Sequence, residues 1–257
     1  MPTFATLEPI TATLTTAGAR VRIVASDRSD TVVRVEPVNS ADKSNVKVAE
    51  RTEVDFAAGE LSIRTIKAGD KNGSVAVTIE LPAGSKLVLN TAWTEVHAAG
   101  PVGDCALEVA SGQVRLDHVT GTADIHNSAG AVRIGDVEGT VRYEGATGKI
   151  WIGHARSDVD LTSATGSVEI DRADGSVTAK AGDCPIRIGL LAHGQADLSN
   201  GAGGIEVGIG AGTTAFVDAE STKGTVLNSL PDSGESEHDV KVYARTRRDD
   251  IVIHPAG

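Results

Sequence analysis

The chain has 257 residues, is 40% hydrophobic but only 3% aromatic, and carries a net charge of −11. That composition suits a core of Val, Ile, Leu and Ala in thin layers better than a bulky globular interior. The acidic balance argues against nucleic acid and anionic lipid as partners, since both need a basic surface.

The opening "MPTFATLEPITATL" has no basic stretch ahead of an apolar run, so no Sec-type signal peptide is expected. No segment approaches the ~20 apolar residues of a membrane span. The two cysteines, Cys105 and Cys184, make no disulfide framework, and a reducing cytoplasm is the expected compartment.

Residues 1–84 read as a β-rich amino-terminal cap. "RVRIVAS", "TVVRVEP", "ELSIRTI" and "SVAVTIELP" alternate or run apolar, and Asn72-Gly73 is a hairpin-type turn signal. This segment is expected to form an antiparallel sheet covering the first coil of the repeat region.

Residues 85–220, the repeat region, keep a nine-residue count. Ser85, Thr94, Gly103, Gly112, Gly121, Gly130, Gly139, Gly148, Ser157, Gly166, Gly175 and Cys184 fall on it. One inserted residue near His193 shifts the frame, which resumes at Gly194, Gly203 and Gly212. The third and fifth positions of each unit are apolar almost throughout, as in Val132/Ile134, Ile150/Ile152 and Val168/Ile170, with a polar residue between them in most units. Such alternation is a short strand with one buried face. The eighth position is small or apolar in most units. Periodicity of this kind predicts an all-β, two-sided β-solenoid, two nine-residue units closing one coil of about eighteen residues. A three-sided coil of equal length is the rival. Residues 221–257 supply a polar loop, "NSLPDSGESEHD" (228–239), and closing strands in "VKVYARTRRDDIVIHP".

The opening "VRIVASDRSDTVVRVEP" (21–37), "IELPAGS" (79–85), the repeats with "KIWIG" (149–153), "LNSL" (227–230) and "ARTRRDDIVI" (244–253) occur in a distinctive order. In these segments the chain resembles a bacterial "putative adhesin" family of β-strand-repeat proteins, a domain of unknown function common in actinobacteria. The resemblance implies a β-solenoid with a β-rich amino-terminal cap and brings no catalytic residues. Asp249 departs from it, standing where such proteins tend to carry glycine.

Residues eighteen apart should stack in columns. One outward column, Arg115, Arg133, Trp151, Glu169 and Arg187, is the candidate binding surface, with Trp151 as a platform for peptide or sugar. A second, His118, Asp136, His154 and Arg172, brings two histidines and an aspartate within reach of a metal, although Arg172 weakens that site. On the opposite face Asp124, Arg142, Asp160, Thr178 and Asp197 align. The intervening arginine would lower both carboxylates instead of raising one for acid catalysis. The glycine-rich "NGAGGIEVGIGAG" (200–212) lacks the aspartate of calcium-binding repeats and the Lys-Ser/Thr of a phosphate loop. Cys105 and Cys184 should lie several coils apart. The expectation is therefore a non-enzymatic interaction scaffold with no cofactor and no resident metal. Its partner is a protein, or else a glycan at the Trp151 face, and end or edge stacking allows a homo-oligomer.

Overall fold

The computed structural model describes residues 2–65, 73–231 and 239–256. Asn72 of the expected hairpin turn, and residues 232–238 of the polar loop, lie outside the described residues. The chain forms two compact units, Met1–Arg133 and Ile134–Gly257.

In the amino-terminal unit, strands β1 (Thr3–Ala5), β2 (Thr11–Ser26) and β3 (Asp30–Pro37) precede helix α1 (Lys43–Glu50). Then come β4 (Glu53–Ala57), β5 (Glu60–Arg64), β6 (Val75–Pro82), β7 (Lys86–Val102), β8 (Cys105–Val119) and the start of β9 (Ala123–Val137). β7 and β8 are parallel and in register at eighteen residues, Leu87 against Cys105 and Val96 against Val114, with a slip between Ala98 and Pro101. β2 joins this stack. It pairs in parallel with β7 on one side and with β5 and β6 on the other.

The expected antiparallel cap is thus only part of the arrangement. Among the described residues, antiparallel pairing in this unit occurs in β1–β3, β3–β6 and β4–β5. β2 stacks because it carries the repeat's own two-part alternation: Ala12 and Leu14, then Val21 and Ile23, are buried. In space it is second, between the β5/β6 rung and β7. Helix α1 was not legible as an element. Asp42 caps it, accepting from the Ser44 N–H at 2.7 Å, and Val48 is its buried apolar contact.

In the carboxy-terminal unit, β10 (Val141–Ala155) and β11 (Val159–Ala173) pair in parallel at eighteen residues, Ile150 against Val168. β12 (Val177–Asp183) and β13 (Ile186–Leu191) continue the two halves of β11 at the same offset. β14 (Gly194–Asn200) and β15 (Ile205–Ile209) come next at nineteen, Val177 against Ala196 and Ile186 against Ile205. The inserted residue near His193 accounts for the difference.

Chain order and spatial order then part. β18 (Val240–Thr246) and β19 (Ile251–Pro255) stack directly on β14 and β15. β16 (Ala215–Ser221) and β17 (Val226–Asn228) lie beyond them. The last strands of the chain are therefore second from the outside, as β2 is in its own unit. β2, β18 and β19 are each hydrogen-bonded along two edges, and β1 adds to the edge of β3.

The nine-residue units alternate in kind. From the Ser85 unit to the Gly203 unit, third and fifth positions are buried in both kinds, but the eighth is buried only in alternate units: Val119, Val137, Ala155 and Ala173 are inside, whereas Ala146 and Ala164 are exposed. In the units with an exposed eighth position the seventh turns inward, and it is often polar, as at Thr91, Asn127, Ser163 and Asn200. At Ser163 and Asn200 these side chains bond backbone carbonyls near the corner, whereas the buried Thr91 hydroxyl has no partner among the described residues. The Asn200 amide donates to the Cys184 carbonyl at 2.9 Å and the Gly204 carbonyl at 3.0 Å. The Ser163 hydroxyl donates to the Thr165 carbonyl at 3.3 Å. At Gly145 the slot is filled differently: a Cβ there would overlap the Tyr143 hydroxyl, so the phenol of one residue occupies the corner its neighbour leaves empty.

The final turn explains the departure at Asp249. Its φ is +70°, a left-handed conformation that favours glycine. The carboxylate offsets the strain by accepting from the Gly203 N–H at 2.7 Å, which glycine cannot do.

Gly130 has φ +114°, and a Cβ there would overlap the Gly112 carbonyl oxygen one rung away. Gly59 has φ +78° with open space around it. Gly130→Ala is expected to cost more than about 2 kcal/mol and Gly59→Ala about 1 kcal/mol, compared by urea denaturation. Equal costs would contradict the rung-on-rung contact.

Candidate functional site

Parallel in-register strands put every outward residue beside its counterpart eighteen on. Strand twist then lets long side chains reach diagonally to the residue two further along. The surface pairs follow both rules. In the amino-terminal unit His97 reaches Asp117 at 3.3 Å, and Arg115 reaches the same carboxylate at 2.9 Å. In the carboxy-terminal unit His154 reaches Asp174 at 2.6 Å and Arg172 reaches it at 2.8 Å. The two clusters have identical spacing: His to Asp twenty residues, Arg to Asp two. Arg156 clasps Asp136 with two bonds, at 2.9 and 2.7 Å, again twenty residues apart.

Of the candidate binding column, Trp151, Glu169 and Arg187 lie side by side, and Glu206 extends the row. Arg187 bonds Glu169 and Glu206, each at 3.3 Å. Trp151 is half-buried, and its indole N–H donates to Asp171 at 3.1 Å, on the diagonal. Arg115 and Arg133 belong to the other unit, where Arg115 stands beside His97.

The candidate metal column is differently employed. His154 turns its Nε2 to Asp174, its Nδ1 lies 4.0 Å from Asp136, and Arg156 occupies the Asp136 carboxylate. His118 is on β8, opposite Pro101. Among the described residues no three His, Cys, Asp or Glu side chains gather where they could hold a metal ion. On the opposite face Arg142, Asp160, Thr178 and Asp197 align as expected, while Asp124 lies in the amino-terminal unit with His126 at 3.6 Å.

Burial works against ionisation of Asp117 and Asp174. The bonds from Arg115 and His97, and from His154 and Arg172, nevertheless hold both below the usual carboxylate range. The Thr122 N–H and hydroxyl lower Asp104 in the same direction. Burial pushes the Cys105 thiol up to about 12 and raises Cys184 as well, so neither is poised as a thiolate.

The more exposed tryptophan is not the one in the eighteen-residue column. Trp93 is 67% exposed and lies in a corner row between Gly18 and Ser111. It lines a cleft of about 330 Å³ with Arg20, Thr94, Glu95 and Gln113, walled by Val38 and Ser74. The signal was present in the chain: a bulky aromatic just before a glycine-column position whose stacked neighbours are small.

No family model matches the chain, and no curated protein matches it. Among solved structures it is similar to a "putative cell adhesion protein" from Clostridium sporogenes, at 11% identity, covering 99% of this chain and 98% of that one with a TM-score of 0.25. It is also similar to a "putative adhesin" from Bacteroides fragilis, at 12% identity, covering 98% and 95% with a TM-score of 0.38.

Asp104, Asp117 and Asp174 have folded pKa values below the unfolded reference of about 4, so the stability they contribute is present above that pH and lost as pH falls through the lower folded values. The melting temperature by circular dichroism is expected to drop below about pH 4. Asp174→Asn should cost about 1 kcal/mol at pH 7 and weaken that dependence. A melting temperature that rises on acidification below pH ~4 would contradict the assignment.

Proposed function

We propose that the chain is a non-enzymatic binding scaffold: a two-sided β-solenoid of about eighteen residues per coil, adhesin-like in architecture and acting in the cytoplasm on a protein partner. On this reading it belongs with the β-strand-repeat proteins that its opening and closing strands resemble. Two inward-facing alternations per eighteen residues, separated by corners of unlike chemistry, support the two-sided coil.

The observation that carries the functional reading is the pairing of outward charges across rungs. Arg187 ties Glu169 to Glu206, and His154 and Arg172 converge on Asp174. Side chains held this way form a flat, rigid mosaic of both signs, suited to a complementary protein face. General acid catalysis needs a carboxyl group held protonated, whereas Asp117 and Asp174 are pulled the other way. A second reading, carbohydrate binding, is favoured by the exposure of Trp93.

The test is affinity purification from the native host with wild type and Glu169→Ala/Arg187→Ala. The pair is solvent-facing, so the variant should lose no more than about 1 kcal/mol of stability. Loss of the captured partners is expected. Recovery of the same partners would remove this face as the binding surface.

A further inference from the structure

We propose that the amino-terminal unit carries a binding site for a neutral glycan in the Trp93 cleft. The inference rests on the binding-scaffold reading and names a ligand class for a face distinct from the Glu169–Arg187 row.

Three rungs, β2, β7 and β8, build the site through their register. The first row is Gly18, Trp93 and Ser111, so the indole stands between two residues too small to cover its faces. The second row, Ala19, Thr94 and Gly112, points inward, where the Thr94 and Thr16 hydroxyls lie 3.3 Å apart. The third row turns out again on the indole's side and reads Arg20, Glu95, Gln113. An uncovered aromatic platform therefore lies two residues from a guanidinium, a carboxylate and a primary amide, rungs about 4.8 Å apart. A pyranose ring matches that pattern. Its C–H face packs on the indole, and its edge hydroxyls meet groups that both donate and accept. The cleft's 330 Å³ lies at the small end of ligand sites, suited to one or two sugar rings.

Charge and topology narrow the ligand. Among the described residues Arg20 and Glu95 are the only charged ones lining the cleft, and they neutralise each other at 3.1 Å while remaining about two-thirds exposed. That pair contributes no net charge to recruit a phosphate, a sulfate or an acidic sugar. At Trp93, β7 is hydrogen-bonded to β2 on one edge and to β8 on the other, so a peptide has no edge of this strand to extend.

The test uses the purified full chain on an array of neutral and acidic oligosaccharides, then fluorescence titration of the best neutral glycan in a Trp151→Phe background. That background leaves Trp93 as the only indole. A neutral oligosaccharide is expected to bind and to shift the Trp93 emission. Trp93→Ala should weaken binding at least about tenfold, and Gln113→Ala severalfold, with melting temperatures unchanged because both side chains face solvent. Four results would overturn the inference: binding of acidic glycans alone, no glycan binding, neutral binding that survives Trp93→Ala, or neutral binding lost in Trp151→Phe. If partner capture still depends on Glu169 and Arg187 in those cases, the scaffold reading stands without the glycan site. If that capture also fails, both readings fall.

Discussion

In β7–β8 and again in β10–β13, successive rungs are hydrogen-bonded in parallel at an offset of eighteen residues, so each residue there must tolerate its own counterpart as a neighbour. That constraint governs the interior first. Val, Ile and Leu repeat inward because identical branched side chains nest when stacked at strand spacing. Bulk that suits one rung must suit the next, so a lone Tyr143 inside requires an empty Gly145 beside it. The same constraint acts outside, where like charges would repel if stacked directly. The chain alternates sign along a row, as at Glu169, Arg187 and Glu206, or displaces the partner by two residues along the diagonal.

Repetition also creates a difficulty at the ends, because a stack of identical rungs exposes an open hydrogen-bonding edge. In each unit the second rung of the parallel stack is out of chain order. β2 lies between β7 and the β5/β6 rung, and β18 and β19 lie between β14/β15 and β16/β17. The outermost rungs come from internal segments anchored at both sides, and antiparallel β3 and β4 edge the first of them.

Much of this was legible in the residues because period-two alternation and a nine-residue count are local signals. Third and fifth positions are buried as read as far as the Gly203 unit, and the single insertion near His193 reappears as a nineteen-residue offset between β13 and β15. The difference between the two corners was not legible. It depends on whether the seventh or eighth side chain turns inward, and small residues occupy the eighth position in both. The spatial place of β2 and of β18/β19 was also hidden, since the alternation of a strand does not say which rung it joins. Helix α1 rests on one cap, one buried valine and the buried Asn45, which accepts from the Ser74 N–H. At the surface, columns counted by eighteen found the row of Trp151, Glu169 and Arg187 but missed the diagonal that turns Trp151 toward Asp171 and His154 toward Asp174. Trp93 escaped because its exposure arises at a corner among small neighbours, and alternation reports only on strand positions.

Disulfide trapping is the most direct test of the eighteen-residue stacking. Arg142 and Asp160 are exposed register partners on β10 and β11, and Asp160 and Glu169 are nine residues apart on β11. Adjacent parallel strands hold Cα atoms within the roughly 4.4–6.8 Å that a disulfide spans, and the native thiols are buried out of reach. Arg142→Cys/Asp160→Cys should close readily under mild oxidation while Asp160→Cys/Glu169→Cys stays open. The reverse outcome would mean that the nonapeptide count does not wind the chain into stacked rungs.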